Sequence, residues 1–323
     1  RVTSAPEPFT RLFAASGRLF GAGASGHILE EPEGRSKRVF TKPPASLPLP
    51  HVNALAISGD TLWAGFFEGG LASAPLNGGD LRLSPIPGDA LFGVNALLPA
   101  GDALYVASLR GAFRVDGGKP VALEGAGAAF SLALLPSGLA VGYGQGVALP
   151  GPRLLSAFHG LPGNQAYALA PDGDALWVGT PSGLGRLEGS KVTQRTTTGD
   201  GVLPHPWVTA LVTVPGGVLV GTYGGGVARV TLSAGRLAST RLSGGDGLKV
   251  NAGAMLLDVE GRLWVGTEGQ GLFRADRSLR DLTHVDLPLP SPSVYALAVH
   301  DSRLFIGTSE GLVSLPLSSL ENP

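Results

Sequence analysis

Cysteine is absent from this chain, which excludes disulfide cross-links, thiolate metal ligands and cysteine nucleophiles. It leaves the compartment open, because exported proteins also fold without disulfides. Charge is scarce as well: Asp, Glu, Lys and Arg make up 15% of 323 residues and the formal net charge is −1, so the basic footprint of a nucleic-acid binder is missing. No apolar run approaches the ~18 residues of a membrane span. No H-E-x-x-H, G-x-S-x-G or Walker-type motif occurs, and the six histidines (His27, His51, His159, His205, His284 and His300) show no metal-ligand spacing. No catalytic residue, metal or cofactor is therefore assigned.

The chain does have 50 glycines and 26 prolines, against 43% hydrophobic residues. This is frequent punctuation with ample material for buried sheets. One phrase recurs eight times: an apolar triplet, a glycine or alanine, a polar or aromatic pair, then glycine. Its clearest copies are Leu176-Trp177-Val178-Gly179-Thr180, Leu263-Trp264-Val265-Gly266-Thr267 and Leu304-Phe305-Ile306-Gly307-Thr308. Weaker copies start at Leu19, Leu62, Leu104, Leu139 and Val218, with starts 35 to 45 residues apart. A period near 40 is too long for a hairpin and suits a four-stranded propeller blade.

The fifth unit reads as such a blade. Ala166–Ala170 is an apolar strand, Pro171-Asp172-Gly173-Asp174 a hairpin turn, Leu176–Thr180 a second strand, Leu184–Leu187 a third, and Lys191 to about Thr197 a polar fourth. Polarity rises outward, as a radial sheet with a buried inner edge requires. The sequence predicts one all-β domain over 1–323, an eight-bladed propeller of four-stranded antiparallel blades, with seven blades as the alternative count. The last unit lacks an outer strand, and Arg1–Ala5 is expected to supply it, removing an open sheet edge.

The words Leu-Trp-Val-Gly-Thr-x-x-Gly-Leu, preceded by Ala-Leu-Ala and an Asp-Gly turn, resemble the repeat of two-component-regulator propellers. Leu161-Pro162-Gly163-Asn164 resembles that family's Gly-Leu-Pro-x-Asn lead-in. The resemblance implies an extracytoplasmic ligand-sensing region, often tied to carbohydrate sensing. It also implies a periplasmic or extracellular location, and a start at Arg1 fits a processed or trimmed product in which a targeting signal would no longer be visible. The chain departs from the pattern where tryptophan is replaced by Phe20, Tyr105, Ala140 and Leu219, and no kinase or DNA-binding segment follows Leu320.

Residues shared by the units build blades; residues that differ are free for recognition. Trp63, Trp177 and Trp264 share one repeat position and are read as packing between blades. Gly21-Ala22-Gly23-Ala24-Ser25-Gly26 matches G-x-G-x-x-G but is read as the repeat's own strand and turn. Asp172-Gly173-Asp174 lacks the further oxygen ligands of a calcium loop. Each inner strand opens with a varying residue: Arg11, Asn53, Asn95, Ser131, Tyr167, Thr209, Gly253 and Tyr295.

These residues are expected to ring one channel mouth. Beside them lie Phe66, Phe67, Glu68, Arg110, Tyr143, Gln145, Tyr223, Glu268, Gln270 and Glu310 from loops, and His51 and Trp207 from interblade connections. An aromatic, neutral-polar rim suits an uncharged hydroxyl-rich ligand. Arg11, Asn53, Asn95, Tyr143, Gln145, Tyr167, Trp207, Tyr223 and Tyr295 are the candidate contacts for a small molecule or oligosaccharide. A protein partner subunit docking on the same rim, or on Phe66-Phe67, is a second reading. A lyase or hydrolase, revealed by converging carboxylates or a histidine with a carboxylate, is a third.

Overall fold

The computed structural model describes residues 9–15, 18–23, 28–30, 37–40, 51–68, 70–77, 84–86, 91–116, 118–125, 127–151 and 153–320. These form antiparallel sheets and short 3-10 turns, with no α-helix among the described residues. The repeat folds locally as expected. In the fifth unit the strands are Ala168–Asp172, Ala175–Thr180, Gly183–Glu188 and Lys191–Thr196, hydrogen-bonded in chain order.

Eight sheets form, yet the ring contains seven blades rather than the eight expected from the repeat count. The inner strands, from blade I to blade VII, are Val52–Ser58, Val94–Ala100, Ala129–Leu135, Ala168–Asp172, Val208–Val214, Val250–Leu257 and Val294–His300. Each packs against the next, and the strand of blade VII packs directly against that of blade I. The sheet made from Phe9–Ala15, Arg18–Gly23, Ile28–Glu30 and Lys37–Phe40 is not a member of this circle.

The seams between blades explain the count. The glycine of the repeated phrase sits where the next blade's first valine presses in. A Cβ on Gly179 would lie 2.5 Å from Val208 Cγ1, on Gly221 2.7 Å from Val250 Cγ1, and on Gly266 2.6 Å from Val294 Cγ1. The series closes at Gly307, whose Cβ would lie 2.7 Å from Val52 Cγ1 and 2.9 Å from the Val52 carbonyl oxygen. In the first unit the corresponding residue is Ala22, paired with Arg11 as Gly65 is with Ala54. Blade II carries Ala107 at this position and is followed by the smaller Ala129.

Blade VII has three strands, Val294–His300, Arg303–Thr308 and Gly311–Pro316, and Lys37–Phe40 of the first sheet lies beside the third. Arg1–Ala5, expected as the closing strand, lies outside the described residues. The core runs as a band of interblade clusters. Trp177 and Trp264 are 1% and 0% exposed and pack there, as the sequence implies. Their indole N–H groups donate to Asp172 and Asp258 at 3.3 and 3.0 Å.

The remainder of the phrase shapes the loops. In Gly-Thr-x-x-Gly the buried hydroxyl donates to the carbonyl of the second glycine, at 3.0 Å from Thr180 to Gly183 and 2.9 Å from Thr308 to Gly311. Gly183 and Gly311 turn at φ of 147° and 146°, which a side chain would strain. The turn between second and third strands is thus pinned beside the entry of the inner strand. Backbone bonds such as Phe67 N–H to His51 O and Tyr223 N–H to Trp207 O, at 3.2 and 2.9 Å, join the two.

Candidate functional site

The inner strands of blades I, II, III, V and VII open with a β-bulge, and that of blade VI with a longer irregularity between Val250 and Met255. The register places Asn53, Asn95, Phe130, Thr209 and Tyr295 at this point and Asn251 at the start of the blade VI irregularity, while Tyr167 directly precedes the blade IV strand with its N–H on the Gly179 carbonyl, and Thr10 holds the matching place in the sheet outside the ring. An alignment without bulges chooses Arg11, Ser131 and Gly253, each displaced by one or two positions. Arg11 belongs to the sheet outside the ring, and its side chain lies outside the described residues.

Short polar side chains at or beside the bulge lock the seams. Asn53 Nδ2 donates to the Val94 carbonyl at 2.7 Å, Asn95 Nδ2 to Ala129 at 2.8 Å, and Ser131 Oγ to Ala166 at 2.8 Å. Thr209 Oγ1 donates to Val250 at 2.7 Å, and Asn251 Nδ2 to Val294 at 2.8 Å. These bonds satisfy carbonyls at the crowded hub. Asn53 and Asn95 therefore engage their amide N–H groups within the ring.

Tyrosine replaces the lock at the seams of blades IV/V and VII/I, and at both places the rim becomes aromatic. Tyr167 lies 4.9 Å from Phe130 and 5.8 Å from Trp207 between ring centroids, and Trp207 lies 4.8 Å from Tyr223. Around the other seam, Tyr295 lies 4.5 Å from His51, His51 stacks on Phe67 at 5.4 Å, and Phe67 lies 6.4 Å from Phe92. Cations end the two arcs: Lys249 Nζ sits 5.7 Å above Tyr223 and the Arg110 guanidinium 5.9 Å above Phe92. Gln270 accepts from the Lys249 backbone N–H at 2.9 Å.

Burial raises the Tyr167 hydroxyl. Burial, and then the hydrogen bond and negative charge of Glu268, raises Tyr295 more strongly, so both stay neutral. Burial lowers His51, with Glu68 and Glu268 opposing it. Among the described residues, no hydrogen bond joins His51 to either carboxylate. Two ring nitrogens on this face, His51 Nε2 and Trp207 Nε1, are buried without a partner.

The site thus gathers Tyr167, Trp207, Tyr223 and Tyr295 on one face, with Gln145 exposed at the adjoining loop. Tyr143 is placed elsewhere. It is 3% exposed in the seam of blades II and III, with its hydroxyl toward the Glu124 carbonyl at 3.4 Å and its pKa raised by burial. Phe92 and Phe130 were not among the sequence candidates, because Phe92 belongs to an irregular connection and Phe130 is hidden by its bulge. A separate crevice of about 220 Å³ opens between blades III and IV on the opposite face, lined by Leu135, Ser137, Arg153, Asp174 and Ser190. None of the sequence candidates lines it.

The inner strand of blade VI is irregular between Val250 and Met255, and it comes within 8 Å, Cα to Cα, of the inner strand of blade II across the hub.

No protein-family profile matches the chain, and no curated protein matches it. Solved structures do. The extracellular domain of a putative hybrid two-component system from B. thetaiotaomicron superposes with a TM-score of 0.74 at 16% identity, over 98% of this chain and 46% of that one. The extracellular domain of a putative one-component system from the same organism gives 0.70 at 17% identity, over 85% and 39%. Virginiamycin B lyase from Staphylococcus aureus gives 0.64 at 14% identity, over 85% and 97%. The chain spans less than half the length of the first two proteins. At these identities the shared property is the propeller fold. No helix among the described residues is long and apolar enough to cross a membrane.

Proposed function

We propose that this ring is an extracytoplasmic ligand-binding propeller of a two-component-type sensor, taking an uncharged small molecule or oligosaccharide on its aromatic rim. The observation that carries this reading is the arc Phe130–Tyr167–Trp207–Tyr223, drawn from three blades onto one face. Aromatic faces cover sugar C–H groups, while amides and phenols satisfy hydroxyls. In this reading Trp207 and Tyr223 stack on the ligand, Tyr167 and Tyr295 present neutral hydroxyls, and Gln145 with the outer amide groups of Asn53 and Asn95 supplies hydrogen bonds. The extracellular domains of putative one- and two-component systems that share the fold support the sensing role and the location.

Native mass spectrometry of the purified chain identifies a retained ligand, and calorimetry with that ligand tests the site. Trp207→Ala should weaken binding by about tenfold or more, which is about 1.4 kcal/mol. Unchanged affinity would exclude Trp207 from the site, and a retained protein subunit in place of a small molecule would reject the small-ligand reading.

A further inference from the structure

The two seams that lack a side-chain lock are the two seams that carry aromatic clusters. Five bulges or their neighbours spend a short polar group on the next blade's carbonyl. At Tyr167 and Tyr295 no such bond forms, and the ring is instead covered by Trp207 and Tyr223 on one side and by His51, Phe67 and Phe92 on the other. Three seams around a seven-membered circle separate them, so they stand nearly opposite each other across the mouth. Each cluster also contains one buried ring nitrogen without a partner, Trp207 Nε1 in the first and His51 Nε2 in the second. An unpaired buried polar atom costs about 1–3 kcal/mol, and a ligand hydroxyl meeting it after a small ring rotation would release that cost.

We propose that these clusters are two stacking subsites of one site, and that its occupant is an extended, linear, neutral oligosaccharide lying across the channel mouth. The inference rests on the ligand-binding reading above and deepens it. Charge favours a neutral chain over a cationic one, because Lys249 already lies over one face of Tyr223 and Arg110 over one face of Phe92. The approach of blade VI to blade II across the hub favours a ligand that lies on the rim over one that threads the ring. Two weak stacking contacts joined by one chain bind together as an intramolecular pair, so affinity should climb with length until both ends are reached and then level off.

The test is native mass spectrometry of the full chain incubated with partial hydrolysates of starch, cellulose and xylan, which present graded lengths of neutral sugar. Longer oligomers should be retained at least about tenfold more than the disaccharide of the same series. Phe67→Ala should remove that length advantage, bringing retention of the longer oligomers down to that of the disaccharide, and Phe67→Ala with Trp207→Ala should abolish retention altogether. Phe67→Tyr, which keeps the ring, should restore the wild-type profile and so separates a stacking role from a folding defect. Equal retention of short and long oligomers, or a Phe67→Ala variant with the wild-type length profile, overturns the two-subsite inference and leaves the single-site sugar reading standing. Retention of no sugar from any of the three series overturns both.

Discussion

Ring closure can be tested at a single glycine. Val52 is fully buried and presses on Gly307, where a Cβ would stand 2.7 Å from Val52 Cγ1 and 2.9 Å from its carbonyl oxygen. A methyl group there must displace backbone as well as side chain, so Gly307→Ala should cost about 1–3 kcal/mol of overpacking. The smaller backbone entropy of alanine returns about 0.5–1 kcal/mol of this. A net loss of about 1–2 kcal/mol follows, read as a fall of a few degrees in melting temperature by circular dichroism.

Val52→Ala alone leaves a cavity and should also destabilise, by about 1–3 kcal/mol. Together the two changes recreate the alanine–alanine contact that blades II and III already use at Ala107 and Ala129, so the double variant should be more stable than the sum of the singles by about 1–2 kcal/mol. Gly199→Ala serves as control, because nothing lies within 4 Å of a Cβ there, and its effect should stay within about 0.5 kcal/mol. If Gly307→Ala is as silent as that control, or if the double variant is additive, Gly307 does not face Val52 and the seven-membered closure is refuted.

Three further perturbations have definite signs. Asp258 is fully buried at its side chain and accepts from Arg262 Nε at 2.7 Å and Trp264 Nε1 at 3.0 Å. Burial alone would raise its pKa, but these hydrogen bonds and the guanidinium charge outweigh it and hold the carboxyl below its ordinary value. Its contribution is therefore complete above the ordinary carboxylate pKa near ~4 and fades as pH falls through the depressed value. Urea midpoints should drop in that acid window for the wild type and change less for Asp258→Asn. Asp258→Ala removes the buried acceptor that Arg262 and Trp264 share, while Arg262 keeps its ion pair with Glu260, and should cost about 1–3 kcal/mol by the same measurement at neutral pH. Asn53→Ala removes the lock on the Val94 carbonyl and should cost about 1 kcal/mol in denaturant titration.

The blade was legible in the sequence because every residue of the repeated phrase acts locally. Leu176 and Val178 fill the core, Trp177 reaches Asp172, Thr180 pins its turn, and Gly183 supplies the left-handed backbone. The number of blades in the ring was not, because closure joins residues 255 positions apart (307 − 52) and every unit, in the ring or out of it, satisfies the same local pattern. The glycine at 307 acquires its meaning only once it is seen to meet the Val52 of the blade that closes the ring. For the site, Trp207, Tyr223, Tyr167 and Tyr295 could be found as differences between repeats. The bulge defeated the alignment elsewhere, exchanging Thr10 for Arg11, Phe130 for Ser131 and Asn251 for Gly253.

The bulge position also explains how a rigid ring can carry a site. A bulged residue is displaced from the ladder, so its side chain can vary without disturbing the strand pairing that holds the blade. Where it is Asn53, Asn95, Thr209 or Asn251, it binds the neighbouring blade and the seam is tied. A tyrosine is too long to serve the adjacent carbonyl and must lie on the rim, where it gathers aromatic partners from the connections on either side. The two seams with tyrosine give up a hydrogen bond of about 1 kcal/mol each. Apolar burial holds them nonetheless, through the valine–glycine contacts Val208–Gly179 and Val52–Gly307 beneath. Stability and recognition are therefore assigned to different depths of the same seam, and rim aromatics can change with the ligand while the valine–glycine layer keeps the circle closed.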